Sequence, residues 1–175
     1  MAGKLYERAT RRCGPGDLDR AVRAAIAAHA EQHQLGDVLA ETVRCCETRS
    51  VRLRKPGLFA RLTGTAVTDA EHRTVALFTR RYLVVAVTGE TGATHVRSAR
   101  LDDVSLSGAI TAGMSPELAA KAAELGADEG VSVTATWSGA TGPDATSAYF
   151  IGLDAGEGRS FRQDLTDAVT AAKRA

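Results

Sequence analysis

Apolar and polar positions recur with two periods along this chain, and each period predicts a different element. Near the start, Leu18, Val22, Ile26, Ala30 and His33 fall about one turn apart in "LDRAVRAAIAAHAEQHQ". That spacing predicts a helix with one apolar face, with Asp17 as N-cap and Gly36 closing it. Near the end, Phe161, Leu165, Val169 and Ala172 form a stripe every three to four residues. Ser160 with Gln163 three residues on has the spacing of a capping box for that helix. A shorter helix is expected over 116–125, "PELAAKAAEL", with Ser115 as N-cap, Pro116 at the first position and Gly126 past the end.

Between these the period falls to two. "RTVALFT" and "RYLVVAVT" are rich in β-branched and aromatic residues and are separated only by Arg80 and Arg81. "TGETGATH" supplies glycines for a hairpin turn, and "THVRSARLDD" reads as the next strand. In "VSVTATW" the residues Val131, Val133, Ala135 and Trp137 share one face, with Ser132, Thr134 and Thr136 on the other. One wet face argues for an antiparallel sheet. "GATGPDATS" reads as a loop and "AYFIGL" as the last strand. Residues 37–48 fit two patterns: a short helix from Asp37 with Leu39, Val43 and Cys46 on one face, or a strand on which Val43, Cys45, Val51 and Leu53 alternate. Strand character is expected from Arg49 onward. Residues 1–16, basic and ending Gly14-Pro15-Gly16, read as a flexible leader. An open antiparallel sheet must hide its edges, and a terminal helix carrying Phe161 and Leu165 suits one open end of a small barrel.

The hairpin "HRTVALFTRRYLVVAVTG", the following "RSARLDDVSLSG", and the late strand "AYFIGL" leading into a helix that begins near Phe161 together resemble the bacterial pleckstrin-homology-like (PH-like) domains over about residues 43–174. The resemblance implies an α+β fold: a PH-like antiparallel β-barrel or sandwich capped by a C-terminal helix. The helical N-terminal extension (17–42) and the inserted short helix are departures from the minimal fold. The expected division is therefore a leader (1–16), a helical extension (17–42) and a PH-like domain (43–175). The resemblance also implies binding rather than catalysis, because eukaryotic members of this fold hold phosphoinositide headgroups beside the first strand-to-strand loop and many others bind proteins.

Composition narrows the partners. The net charge is +1 over 175 residues, which argues against a general nucleic-acid binder. Arginine makes up 18 of the 22 cations, as in proteins from GC-rich bacterial genomes, and this lowers the weight of any single Arg. No apolar run reaches signal-peptide or membrane-spanning length. The three cysteines, Cys13, Cys45 and Cys46, are odd in number, and two are neighbours that face opposite ways on a strand. A disulfide framework is not expected, and a cytoplasmic location, peripheral to the membrane at most, fits.

One segment breaks the charge balance. From Arg49 through "VRLRKPGLFAR" there are five cations and no acid: Arg49, Arg52, Arg54, Lys55 and Arg61, with Leu58 and Phe59 at the tip. Arg52 and Arg54, two apart on a strand, share a face. The segment lies where the resemblance implies a ligand loop, and cations around an apolar tip suit an anionic surface. The plainer alternative is a solvated strand edge with Leu58, Phe59 and Leu62 folded under the sheet. Other candidates are weaker. His29 and His33 are spaced i, i+4 but lack the Glu placement of a zincin, so helix-packing histidines are expected and no metal or cofactor. Cys45-Cys46 lacks redox spacing. Asp102-Asp103 reads as a strand-end turn, and no nucleophile–base arrangement assembles, so no enzyme is expected. The expected function is recognition, of a protein partner before an anionic lipid surface. The alternatives are a lipid or small-molecule carrier using the barrel interior, and a structural subunit self-associating through the leading helix.

Overall fold

Strands that follow one another in the chain also pair in that order. The computed structural model describes residues 6–53, 70–108, 130–142 and 145–175. Sheet 1 has the order β1 (Tyr6–Arg12), β2 (Arg44–Arg52), β3 (Glu71–Phe78), β4 (Tyr82–Thr88) and β5 (Thr94–Arg100). Sheet 2 has β6 (Ser105–Gly108), β7 (Gly130–Thr136) and β8 (Thr146–Gly152). All the pairings are antiparallel. Helix α1 (Arg20–Gln32) lies between β1 and β2 in sequence, and α2 (Glu157–Ala172) follows β8. The described strands form two sheets and no closed barrel.

Sheet 1 is covered on both faces, which explains the unbroken apolar runs of β3 and β4. On one face Cys45, Val75, Leu77, Val84 and Ala86 pack under Leu18, Val22, Ile26 and Ala30 of the α1 layer. On the other, Cys46, Ala76, Phe78, Leu83, Val85 and Ala99 meet Val131, Val133, Ala135 and Ile151 of sheet 2 and Phe161, Leu165 and Val169 of α2. Val22, Ile26 and Ala30 of the first predicted stripe, Phe161, Leu165 and Val169 of the last, and the β7 alternation are thus buried, while Leu18 precedes α1 and the helix ends at Gln32, before Gly36. Each fully buried Leu, Ile or Phe contributes about 1.5–3 kcal/mol. Ile26 and Phe161 are both 0% exposed, so each helix brings one such anchor.

Several local expectations are corrected. The stretch read as a leader contains β1, because Tyr6, Arg8 and Thr10 alternate with Glu7, Ala9 and Arg11 and the strand pairs with β2 along its whole length. Asp17 lies in a 3-10 turn (Pro15–Asp17). The N-cap of α1 is Asp19, whose carboxylate accepts from the Ala21 amide at 2.7 Å. Helix α2 begins one turn before the predicted capping box, at Glu157. Asp154 does the capping there, its Oδ1 accepting from the Gly156 and Gly158 amides at 3.0 and 2.8 Å. Of the ambiguous 37–48 stretch, residues 44–48 are strand and the residues before them form turns. The expected helix at 116–125 lies outside the described residues.

Arg44 joins α2 to sheet 1. It is 6% exposed. Its Nη2 donates to Glu157 and to Ser160 Oγ, and its Nε lies 2.8 Å from Asp164 Oδ2 as an ion pair rather than an aligned hydrogen bond. Nη1 has no partner among the described residues. A buried guanidinium with an unmet donor adds little net stability, yet it is costly to leave without counter-charge. The carboxylates of Glu157 and Asp164 are 32% and 46% exposed, which reduces that cost. Combining Glu157→Gln with Asp164→Asn is expected to destabilise by about 2–3 kcal/mol in urea unfolding, whereas Arg44→Met stays within about 1 kcal/mol of wild type.

His29 ties α1 to β5, its Nε2 lying 2.8 Å from Ser98 Oγ. Burial, and then the neighbouring His33, hold its pKa below the ordinary 6.5. The folded state therefore disfavours the imidazolium. Stability from this site is complete above the unfolded pKa and is lost as pH falls through and below about 6.5. Thermal melts of wild type are expected to drop in Tm between about pH 7 and pH 5, with a shallower drop in His29→Gln.

Candidate functional site

Of the basic segment, the two cations among the described residues, Arg49 and Arg52, do not share a face. Arg49 and Arg52 are three apart on β2, so they leave the strand on opposite faces. Arg49 goes to the α1 side, where Glu71 of β3 accepts from its Nε and Nη2 at 2.6 and 2.8 Å. The ion pair raises the Arg49 pKa and holds the Glu71 carboxyl below its usual range. Arg49 is thus engaged as an exposed cross-strand pair. Arg54, Lys55, Leu58, Phe59 and Arg61 lie outside the described residues.

Arg52 turns to the sheet-2 side and joins residues that the linear stretch does not contain. The register sets Arg52 opposite Tyr6, and Ser50 between Arg8 and His72. Arg52 Nη2 donates to the Tyr6 hydroxyl at 3.2 Å, and its guanidinium lies 5.7 Å from the Tyr6 ring centroid. Arg8, two residues along β1, lies 5.3 Å from the same ring and 5.8 Å from that of Phe150 on β8. His72 meets Tyr6 edge-on at 5.8 Å. All five side chains are half-buried. Each guanidinium–ring contact is worth about 0.5–2 kcal/mol, enough to hold two cations on one aromatic platform. Residues Tyr6, Arg8, His72 and Phe150 were missed because they are remote in sequence. The available signal was the alternation of Tyr6, Arg8 and Thr10.

The corner between β1 and β8 fixes this platform. The Thr10 amide donates to Asp154 Oδ2 at 2.7 Å, and the Asp154 amide donates to Thr10 Oγ1 at 3.0 Å. Arg8 crosses the same corner over Gly152, where an added Cβ would lie 2.5 Å from the Arg8 Nε. Gly152 is therefore the gap through which Arg8 passes.

Other clusters have internal explanations. Arg80, Arg81, Tyr82 and Arg100 line a cleft of about 260 Å³ beside the C-terminal end of α2. Asp102 already accepts from Arg100 at 3.0 and 2.6 Å, and cations next to a helix C-terminus complement its exposed carbonyls. Residues 101–103 form a turn after β5, as expected of the Asp pair, and Asp103 Oδ2 ties that turn to β7 by accepting from the Thr136 amide at 2.7 Å. Arg97 lies 4.0 Å from the Tyr149 centroid and 5.6 Å from that of Trp137, closing the opposite side of the sandwich. His29 and His33 pack at 4.4 Å. Among the described residues no three His, Cys, Asp or Glu side chains gather as a metal site requires. No helix of the described residues is long and apolar enough to cross a membrane. Comparison with known proteins adds no assignment: no family model, curated protein or solved structure matches the chain.

The geometry of Gly152 generates a test. Gly152→Ala is expected to displace Arg8 and destabilise by about 1–3 kcal/mol, measured by urea unfolding. In an Arg8→Ala background the same substitution is expected to lose most of that penalty; equal penalties in both backgrounds would separate Arg8 from Gly152.

Proposed function

We propose that the chain is a non-catalytic recognition module of the PH-like type, which binds an acidic segment of a protein partner on the Tyr6 platform. The observation that carries this reading is the convergence of two guanidinium groups, Arg8 and Arg52, on one tyrosine ring beside His72 and Phe150. Tyr and Arg in a half-buried cluster have the composition of an interface hot spot. Carboxylates and phosphates accept from guanidinium in bidentate geometry, which suits a site that presents two arginines beside an aromatic ring.

The fold class supports the PH-like reading through its element order. Strands β2 to β5 in series, then β6 to β8, then a terminal helix with Phe161 and Leu165 between the sheets follow the order that the resemblance implies. Strand β1 and helix α1 are additions to it. Space for a carrier's cargo is scarce: Phe78, Leu83, Trp137, Phe161 and Leu165 share the volume between the sheets, none more than 5% exposed. The outer face of α1's partner strands is likewise covered by α1's own apolar side, which leaves that helix with its polar side outward. A protein target is favoured over a lipid surface because the net charge is only +1 and the cations are local.

The test compares wild type with the double variant Arg8→Ala/Arg52→Ala. Binding is measured by fluorescence anisotropy to a pool of acidic and phosphorylated peptides, and by co-sedimentation with phosphatidylserine vesicles, each over a salt series. The expected result is salt-sensitive peptide binding that weakens at least tenfold in the double variant, with little vesicle binding at physiological salt. Vesicle binding that requires the same two arginines would transfer the site to a membrane surface. Wild-type binding to neither probe would remove the proposal.

A further inference from the structure

The buried cysteines hold a chemical arrangement that recognition does not use. Beyond the last residue of β1 the register continues by one pair, setting Cys13 opposite Cys45, with the Cys13 amide donating to the Cys45 carbonyl at 3.2 Å. Both side chains face the α1 layer. Their sulfurs are 3.2 Å apart, and both are free thiols. Directly opposed antiparallel residues joined by a ladder hydrogen bond have Cα atoms about 5.5 Å apart, inside the range of about 4.4–6.8 Å that a disulfide spans. Cys46, the sequence neighbour, points into the other core among Ala76 and Phe78 and is 0% exposed. No disulfide framework was expected of the three cysteines; the strand register sets Cys13, 32 positions before Cys45, directly beside it.

We propose that Cys13 and Cys45 are an oxidative modification site, converted by hydrogen peroxide into an intramolecular cross-strand disulfide. The Cys13 thiolate attacks one peroxide oxygen, the O–O bond breaks, and with one proton taken up the products are a sulfenic acid on Cys13 and water. The Cys45 sulfur then attacks the Cys13 sulfur and the hydroxyl leaves as a second water, taking the Cys45 proton. Two thiols are oxidised by two electrons in all, and the peroxide is reduced to two waters. Cys13 is the entry point because it is 8% exposed, against 2% for Cys45, and it adjoins the edge of the sheet. A molecule as small as peroxide reaches such a sulfur where a bulky disulfide reagent does not. The electrostatics run the same way: the Cys45 thiol, and then the nearby Arg11 cation, favour the Cys13 thiolate, whereas hydrogen bonding to Cys13 together with burial keeps Cys45 protonated. The bond closes a ring over residues 13–45, which contains the whole of α1. Oxidation would thus staple the helical layer and the edge strand to the centre of sheet 1.

The full chain, reduced and freed of reductant, is treated with hydrogen peroxide, then denatured and alkylated for mass spectrometry. The expected product has lost two hydrogens, takes up alkyl groups at Cys46 alone, and yields a linked peptide pair containing Cys13 and Cys45. The variant Cys46→Ala gives the same linkage, and Cys13→Ser abolishes it. Oxidised protein is expected to melt on the order of 10 °C higher, because the crosslink restricts the unfolded chain. Hydrogen exchange of α1 amides is expected to slow. Alkylation of all three thiols after peroxide, stepwise oxygen addition at Cys13 with no linked peptide, or a linkage between two chains would each overturn the proposal.

Discussion

The structure depends on sheet 1 being buried on both faces. In β3 the run Val75, Ala76, Leu77 and Phe78 is buried residue after residue, and in β4 Leu83, Val84, Val85 and Ala86 repeat this. A sheet of that kind cannot stop at one covering layer without exposing half its side chains to water. Helix α1 therefore covers one face, and sheet 2 with α2 covers the other. Two of the buried polar residues are partnered across layers: Arg44 with the acids of α2, and Ser98 with His29 of α1 and with Ser138.

That constraint weakens toward the edge. Among the described residues strand β1 has a ladder partner on one side only, and its other side meets β8 through side chains rather than through a ladder. The reciprocal Thr10–Asp154 pair and the Arg8 crossing over Gly152 do the work of a ladder at that corner. Such a seam has fewer backbone bonds than the sheet centre, so it lies at the low end of local stability. Both chemically unusual features of the chain lie along it. Tyr6 and Arg8 are at one end of β1, and Cys13 is just past the other. A crosslink at the Cys13 end would restrain fraying of the strand that supplies half of the Tyr6 platform.

The parts of the fold that were legible in the sequence were those with a strong period and a large apolar load. The stripes Val22–Ile26–Ala30 and Phe161–Leu165–Val169 are the buried helix faces, and Val131, Val133 and Ala135 are the buried side of β7. Strand β1 was not legible, because "YERATRR" has no apolar alternation and an edge strand needs none when its far side is held by polar contacts. Helix starts were misplaced by up to a turn. Several acids and hydroxyls near each start could cap, and tertiary contacts decided among them: Ser160 was drawn to Arg44, which left Asp154 to cap α2.

The candidate site was legible only at one residue, for a reason that is general to strands. A run of cations along a strand is divided between two faces by the pleat, so its linear density overstates the charge that any one ligand can meet. Arg49 goes to one face, where Glu71 one strand away engages it, and Arg52 goes to the other, beside Tyr6. What makes Arg52 part of a platform comes from the neighbouring strands: Tyr6 at its own register height, with Arg8 and His72 one pleat along, on either side of Ser50. The pairing register, rather than the local composition, therefore decides which charges act together. Edge-strand residues that looked featureless in isolation acquire their chemistry from the strand they pair with.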